Sequence, residues 1–308
     1  MKRPIRDGLS LLWRHQRLMW WIFFVNLVLG FFGAIAPSVV LRPVLDKSMY
    51  ATQLSRRFDL TVFIELLSKP EVSLGSSVAG SVVVGVIFLL YMIFITGGIL
   101  VVYREDRKLS PGEFFHFSGQ FFWRMVRLLL CSIIPFGIVI ALLARVGTVS
   151  GKMAADAPRE MQGFWVQVAG YLVCLVLALF VRAWFDLAQA RTVIDSVGGI
   201  FKLSFRSFVL ALRNLHRLLF IYLTTSFVCA IVIAGAWELW LNIPHQSFGR
   251  SWLLLEIVTL MMVAIRLWQR AATVVWYENC AELHAAAVPV ESVPPTAPET
   301  VETTATVT

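Results

Sequence analysis

Charge is scarce in this chain. Of 308 residues only 15% are charged, whereas an ordinary soluble domain has roughly a quarter of its residues charged. The acidic half is the scarcer one, with 19 Asp and Glu against 27 Lys and Arg, and 58% of the residues are apolar. That excess of apolar residues cannot be hidden in one water-soluble core. Also missing are the short patterns that carry common chemistries. There is no Walker loop, no GxSxG elbow, no HExxH, no His/Cys cluster and no pair of carboxylates inside an apolar run. The four cysteines, Cys131, Cys174, Cys229 and Cys280, are widely spaced, and the first three lie in apolar runs, where they read as small hydrophobes. The five histidines, His15, His116, His216, His245 and His284, match no metal-ligand spacing. No catalytic, cofactor-binding or metal-binding residue is assigned, no cofactor is expected, and the chain reads as a non-enzyme.

What the chain has is long uncharged runs. They reach 17 to 32 residues, the length a bilayer core demands of a helix. Six spans are expected, at about 18–41, 80–103, 128–145, 161–182, 218–238 and 251–276. The sixth carries Glu256, Arg266 and Arg270, and a charge near a helix centre costs roughly 2.5–3.5 kcal/mol on insertion scales, so it is the least regular. The first follows a basic segment as a signal peptide would. Its 24 uncharged residues exceed an h-region, and the candidate cleavage site at Ala34-Ile35-Ala36 is followed by Pro37, so it reads as a retained span.

The net charge of +8 is spread between the apolar runs, not gathered into one patch, which argues against nucleic acid and for a membrane surface. Counted on alternate sides of the six spans, eighteen Lys and Arg fall on the side of the termini and nine on the other. The positive-inside bias then places both termini in the cytoplasm. Residues 1–282 are expected to form one membrane domain and 283–308, rich in Ala, Val, Pro, Thr and Glu, a disordered tail. The mixed external segment 42–80 has room for a short surface helix.

Before spans one, three and five the chain repeats one device, an amphipathic segment that runs into an apolar run. In the second copy Ser110-Pro111-Gly112-Glu113 is a capping-box start, with hydroxyl at N-cap, Pro at N1 and carboxylate at N3. Its apolar stripe is Phe114, Phe117, Phe121 and Met125, widened by Phe115, Phe122 and Val126. In the third copy Phe201, Phe205, Phe208, Val209 and Leu212 make the stripe. In the first, Leu9, Leu12 and Trp13 face one way. A short helix with aromatics on one side and Arg beside them is expected to lie in the headgroup plane as an elbow. The fold expected is therefore an all-α, polytopic bundle of about six transmembrane helices. It comprises three units, 1–109, 110–195 and 196–282, each an interfacial elbow plus a transmembrane hairpin.

The elbow segment Phe114-Phe115-His116-Phe117-Ser118-Gly119 leading into Trp123-Arg124, with Phe185-Asp186-Leu187-Ala188 before Arg191, resembles a group of bacterial six-span proteins. That group includes the membrane domains of glycerophosphoryl diester phosphodiesterases. The resemblance implies a multi-pass module of a bacterial cytoplasmic membrane, with no phosphodiesterase catalytic domain and no catalytic residue to carry over.

Five residues remain as candidates for a polar path or lipid-headgroup contact: Arg182, Asp186, Glu256, Arg266 and Arg270. Arg182 and Asp186, four apart, share a helix face as an ion pair orienting the end of span four. Arg266 and Arg270 share a face, either lining an interior path or reaching the headgroups by snorkelling. Glu256 lies ten residues, about 15 Å, before Arg266 and cannot pair with it. Gly97-Gly98 and Pro135 mark close helix packing in one reading and backbone breaks lining a cavity in the other. Two functions follow: a non-catalytic module interacting with lipid or a partner membrane protein, or a transporter of a small or lipid-like molecule.

Overall fold

The computed structural model of the chain describes residues 3–46, 74–156, 161–195, 199–243 and 248–287, with Met49, Thr61, Ile64, Glu65 and Ser68 between the first two stretches. The long described stretches form helices α1 (Pro4–Arg14), α2 (Gln16–Asp46), α3 (Leu74–Glu105), α4 (Pro111–Asp156), α5 (Met161–Ile194), α6 (Ile200–Arg213), α7 (Leu215–Asn242) and α8 (Phe248–Ala287). No strand occurs among the described residues. Among the described residues six helices, all but α1 and α6, are long and apolar enough to cross a membrane, so the protein is an integral membrane protein of all-α architecture. The sixth, α8, meets that standard from Gly249 to Ala281 in spite of its charges. It also runs to Ala287, five residues into the expected tail, through an Ala run of high helix propensity. The tail beyond 287 and most of 42–80 lie outside the described residues.

Within each expected unit the two spans pack together, α2 on α3, α4 on α5 and α7 on α8, and α3 also packs on the start of α4. The last helix is the hub, touching α1, α2, α3, α5 and α7. Glycine contacts bring helices close at three places, one of them Gly170 on α5, where a Cβ would sit 2.6 Å from Val146 Cγ1. A Cβ on Gly8 would sit 2.7 Å from the Ala272 backbone nitrogen, so α1 lies directly on the backbone of α8. A Cβ on Gly98 would meet the Phe114 ring at 2.7 Å and one on Gly97 would meet Phe121 at 2.9 Å. The Gly97-Gly98 pair is thus a packing slot on α3, and α4 continues helically through Pro135.

The elbows differ in how they are built. The first and third are separate helices, each ended by one residue of nearly the same backbone geometry. His15 has φ −109°, ψ 31° and Asn214 has φ −114°, ψ 28°. Each is tied down by an indole from a long helix: Trp268 Nε1 donates to the Ile5 carbonyl at 2.8 Å, and Trp184 Nε1 to the Ser204 carbonyl at 3.0 Å. The second is not a separate helix. Its capping box forms as expected, with the Ser110 amide donating to Glu113 Oε2 at 2.8 Å and the Glu113 amide to Ser110 Oγ at 3.3 Å. From there α4 runs 46 residues without a break.

Two of the three stripe assignments need correction. In the second elbow Phe121 and Met125 are buried, and Phe114 and Phe117 are partly buried against the same core, so the stripe faces protein. The slot left by Gly97 and Gly98 receives Phe114 and Phe121 and so turns this face toward α3. In the first, α1 packs through Gly8, Leu11 and Leu12, and Trp13 is 65% exposed, because only glycine permits the approach to Ala272. In α6 the small face packs inward, through Leu203, Ser204, Ser207 and Ala211, and Phe201, Phe205 and Leu212 point outward. Small residues inside and aromatics outside is the arrangement a membrane domain favours, since close backbone approach gains contact that lipid cannot supply.

Candidate functional site

A buried polar cluster occupies the elbow end of the bundle. Asp186 on α5 is almost fully buried, which for a carboxylate demands a partner. The partner is Arg266 on α8, whose Nη1 and Nη2 donate to Oδ2 and Oδ1, both at 2.6 Å, a bidentate fork. Tyr222 on α7 donates its hydroxyl to Asp186 Oδ2 at 2.7 Å and lies 3.2 Å from Thr273 Oγ1. Gln269 accepts from Arg266 Nη1 at 2.9 Å and donates from Nε2 to Thr225 Oγ1 at 3.0 Å. One carboxylate therefore gathers α5, α7 and α8.

The candidate residues separate on this geometry. Asp186 and Arg266 come together. Arg182 makes no hydrogen bond or ion pair among the described residues, so the expected i,i+4 pair with Asp186 does not form. Burial explains this: Asp186 is 1% exposed in its side chain and turned into the bundle, whereas Arg182 is on the exposed side. Arg266 and Arg270 point inward, not to headgroups. Arg270 is buried, and its Nε and Nη1 have no hydrogen-bond partner among the described residues. The Tyr103 hydroxyl and Gln189 Oε1 are likewise buried without a partner among the described residues. Glu256 is half-buried on the opposite stretch of α8, apart from the cluster.

Sequence reasoning missed the neutral members. Gln269 and Thr273 follow Arg266 at i+3 and i+7, a spacing that puts a polar stripe on one helix face and was open to reading. Tyr222 gave no such sign, since a tyrosine near a span end reads as an interfacial anchor.

A second cluster lies where α5 ends. Arg191 donates from Nε to Asp195 Oδ2 at 3.0 Å and to the Tyr277 hydroxyl at 3.1 Å, with its guanidinium carbon 5.5 Å from the centre of the Tyr277 ring. Tyr277 in turn donates to Asp195 at 2.8 Å. On the other side of the elbow end, Asp106 caps α3 in the left-handed region at φ 45°. It holds the first elbow by accepting from Arg14 and pairing with His15 Nε2 at 3.1 Å.

A cavity of about 410 Å³ opens beside that joint, between the first elbow and the turn from α3 to α4. Its rim is basic, with Arg14, Arg17 and Lys108, and its wall is apolar, with Trp21, Val25, Ile95 and Phe115 among its residues. Neither Arg17 nor Lys108 has an ion pair among the described residues. Comparison of the chain with protein-family models, curated proteins and solved structures gives no match.

Proposed function

We propose that this membrane protein is a non-catalytic module that holds an anionic lipid at its elbow end and that this end faces the cytoplasm, an orientation the Lys and Arg bias supports. The observation that carries the reading is the cavity beside the first elbow. A basic rim above an apolar wall has the polarity of an anionic amphiphile, and about 410 Å³ lies within the roughly 300–1,000 Å³ typical of ligand sites. Arg17 and Lys108, free of protein carboxylates among the described residues, are available to a headgroup phosphate. The resemblance of the elbow segments to membrane domains without catalytic residues agrees with this role.

The test is native mass spectrometry of the protein extracted in mild detergent and washed free of bulk lipid. The wild type is expected to retain a stoichiometric anionic lipid that an Arg17→Gln/Lys108→Gln double variant loses, while Arg145→Gln, at the far end of the bundle, keeps it. Equal retention by all three proteins rejects the reading.

A transporter is the second reading, and one observation favours it: the buried Arg270, two of whose N–H groups have no partner among the described residues. Intramembrane arginines of this kind mark ion or substrate paths. An Arg270→Cys variant in a background without the four native cysteines decides the matter. Labelling by a membrane-impermeant thiol reagent in the intact bilayer supports a path, and complete protection removes it.

A further inference from the structure

Three arginines converge on a cavity of about 420 Å³ between the end of α5, the elbow α6 and the end of α8. Arg191 comes from α5, and Arg206 and Arg213 from α6, seven residues apart and so on one face of the helix. Tyr277 completes the polar side, and Val209, Leu210 and Ala281 give an apolar one. Arg191 is held in place through Nε by Asp195 and Tyr277, which leaves its terminal edge, among the described residues, a single 3.5 Å hydrogen bond from Nη1 to Ser207 Oγ. Asp195 offsets one of the three positive charges. Arg206 and Arg213 have no ion pair or hydrogen bond among the described residues, so the cavity carries an excess of two positive charges.

Like charges gathered around one space repel unless an anion sits among them. Three guanidinium groups from two helices suit an anion with three free oxygens, since each planar fork can engage a separate oxygen or a pair of them. A carboxylate offers only two. The volume exceeds the needs of an inorganic ion, and the apolar wall has a use only if the anion bears an organic group. We propose that this cavity is a binding site for a terminal phosphate group, that is, a phosphate monoester. Its source is either a lipid whose headgroup is a bare phosphate or a soluble phosphate ester. The site shares no residue with the cavity beside the first elbow, and stands or falls independently of it.

The full-length protein in phosphatidylcholine nanodiscs is titrated with glycerol 3-phosphate while its thermal unfolding is followed. In parallel, nanodiscs containing phosphatidic acid are compared with phosphatidylcholine alone by native mass spectrometry of retained lipid. Stabilisation by glycerol 3-phosphate identifies a soluble ester as sufficient. Retention of phosphatidic acid without that stabilisation identifies the lipid. In either arm Arg206→Gln/Arg213→Gln is expected to weaken binding at least tenfold. Val209→Trp, which fills the cavity without altering its charge, is expected to do the same, and Asp195→Asn to weaken it less, by loosening Arg191. The proposal is overturned if neither probe binds the wild type, or if the double arginine variant and Val209→Trp bind as the wild type does.

Discussion

The two ends of this helical bundle are built on opposite terms. At the elbow end Ile99, Leu128, Leu187, Tyr222 and Ala271 are all fully buried, and the polar side chains of three helices close on Asp186. At the far end Ile134, Ile140, Trp165, Val173, Phe227 and Trp237 are each more than half exposed. In water the second pattern would be ruinous. In a bilayer it costs nothing, because lipid tails are as apolar as leucine and burying one such side chain against another gains little. What does gain stability there is what lipid cannot offer: close backbone approach and hydrogen bonds between helices. Hydrogen bonds between helices are concentrated at the elbow end, together with the Gly8 and Gly97-Gly98 contacts, whereas the far end keeps one close approach, of Gly170 on Val146.

The largest test of this contrast is Asp186→Ala, which leaves Arg266 buried without its carboxylate. Breaking a buried pair by removing one partner costs about 3–5 kcal/mol. Thermal unfolding in a fixed detergent is expected to show that loss, and Asp186→Leu/Arg266→Met is expected to recover most of it, since an apolar pair of similar size leaves no orphaned charge. A single variant no less stable than the wild type would mean that the cluster does not hold the helices.

Tyr222→Phe keeps the ring and removes only the hydroxyl that Asp186 accepts. A hydrogen bond to a charged group contributes about 1.5–3 kcal/mol, so the same assay is expected to show an intermediate loss. Gly8→Ala probes the other source of cohesion. Its Cβ would fall 2.8 Å from Ala272 Cα, and neither backbone can yield without moving α1 off α8. A cost of about 1–3 kcal/mol is expected from overpacking of this kind. Gly235→Ala is the matched control at the other end: nothing lies within 4 Å of the added methyl, and helix propensity makes it neutral or stabilising by up to about 1 kcal/mol. Equal effects at the two glycines would remove the contrast.

The spans were legible because length and lack of charge are local properties, and the capping box at Ser110 was legible because its atoms lie within four residues. What the sequence could not show is which face of an amphipathic helix turns inward. The same reading of aromatic stripes suits α6, where Phe201 and Phe205 point away from protein, and fails for α4, where Gly97 and Gly98 on another helix decide the matter. The candidate site was legible in its members more than in its pairing. Arg182 stands beside Asp186 in sequence, yet the partner is Arg266, eighty positions away. A local rule prefers the neighbour; burial on the inner face of α5 selects the distant one.

The smallest expected effect lies at the far end and is the most exacting check on the comparison. Ile140 on α4 is 67% exposed, so Ile140→Ala removes methyl groups whose neighbours are lipid. Substitutions away from packed features stay within about 0.5 kcal/mol, whereas truncating a packed isoleucine costs about 2–5 kcal/mol. Unfolding of the Ile140→Ala variant in nanodiscs is expected to fall in the first range. A loss in the second would mean that protein, not lipid, covers this surface, and that the exposed end of the bundle is the face through which a second polypeptide is held.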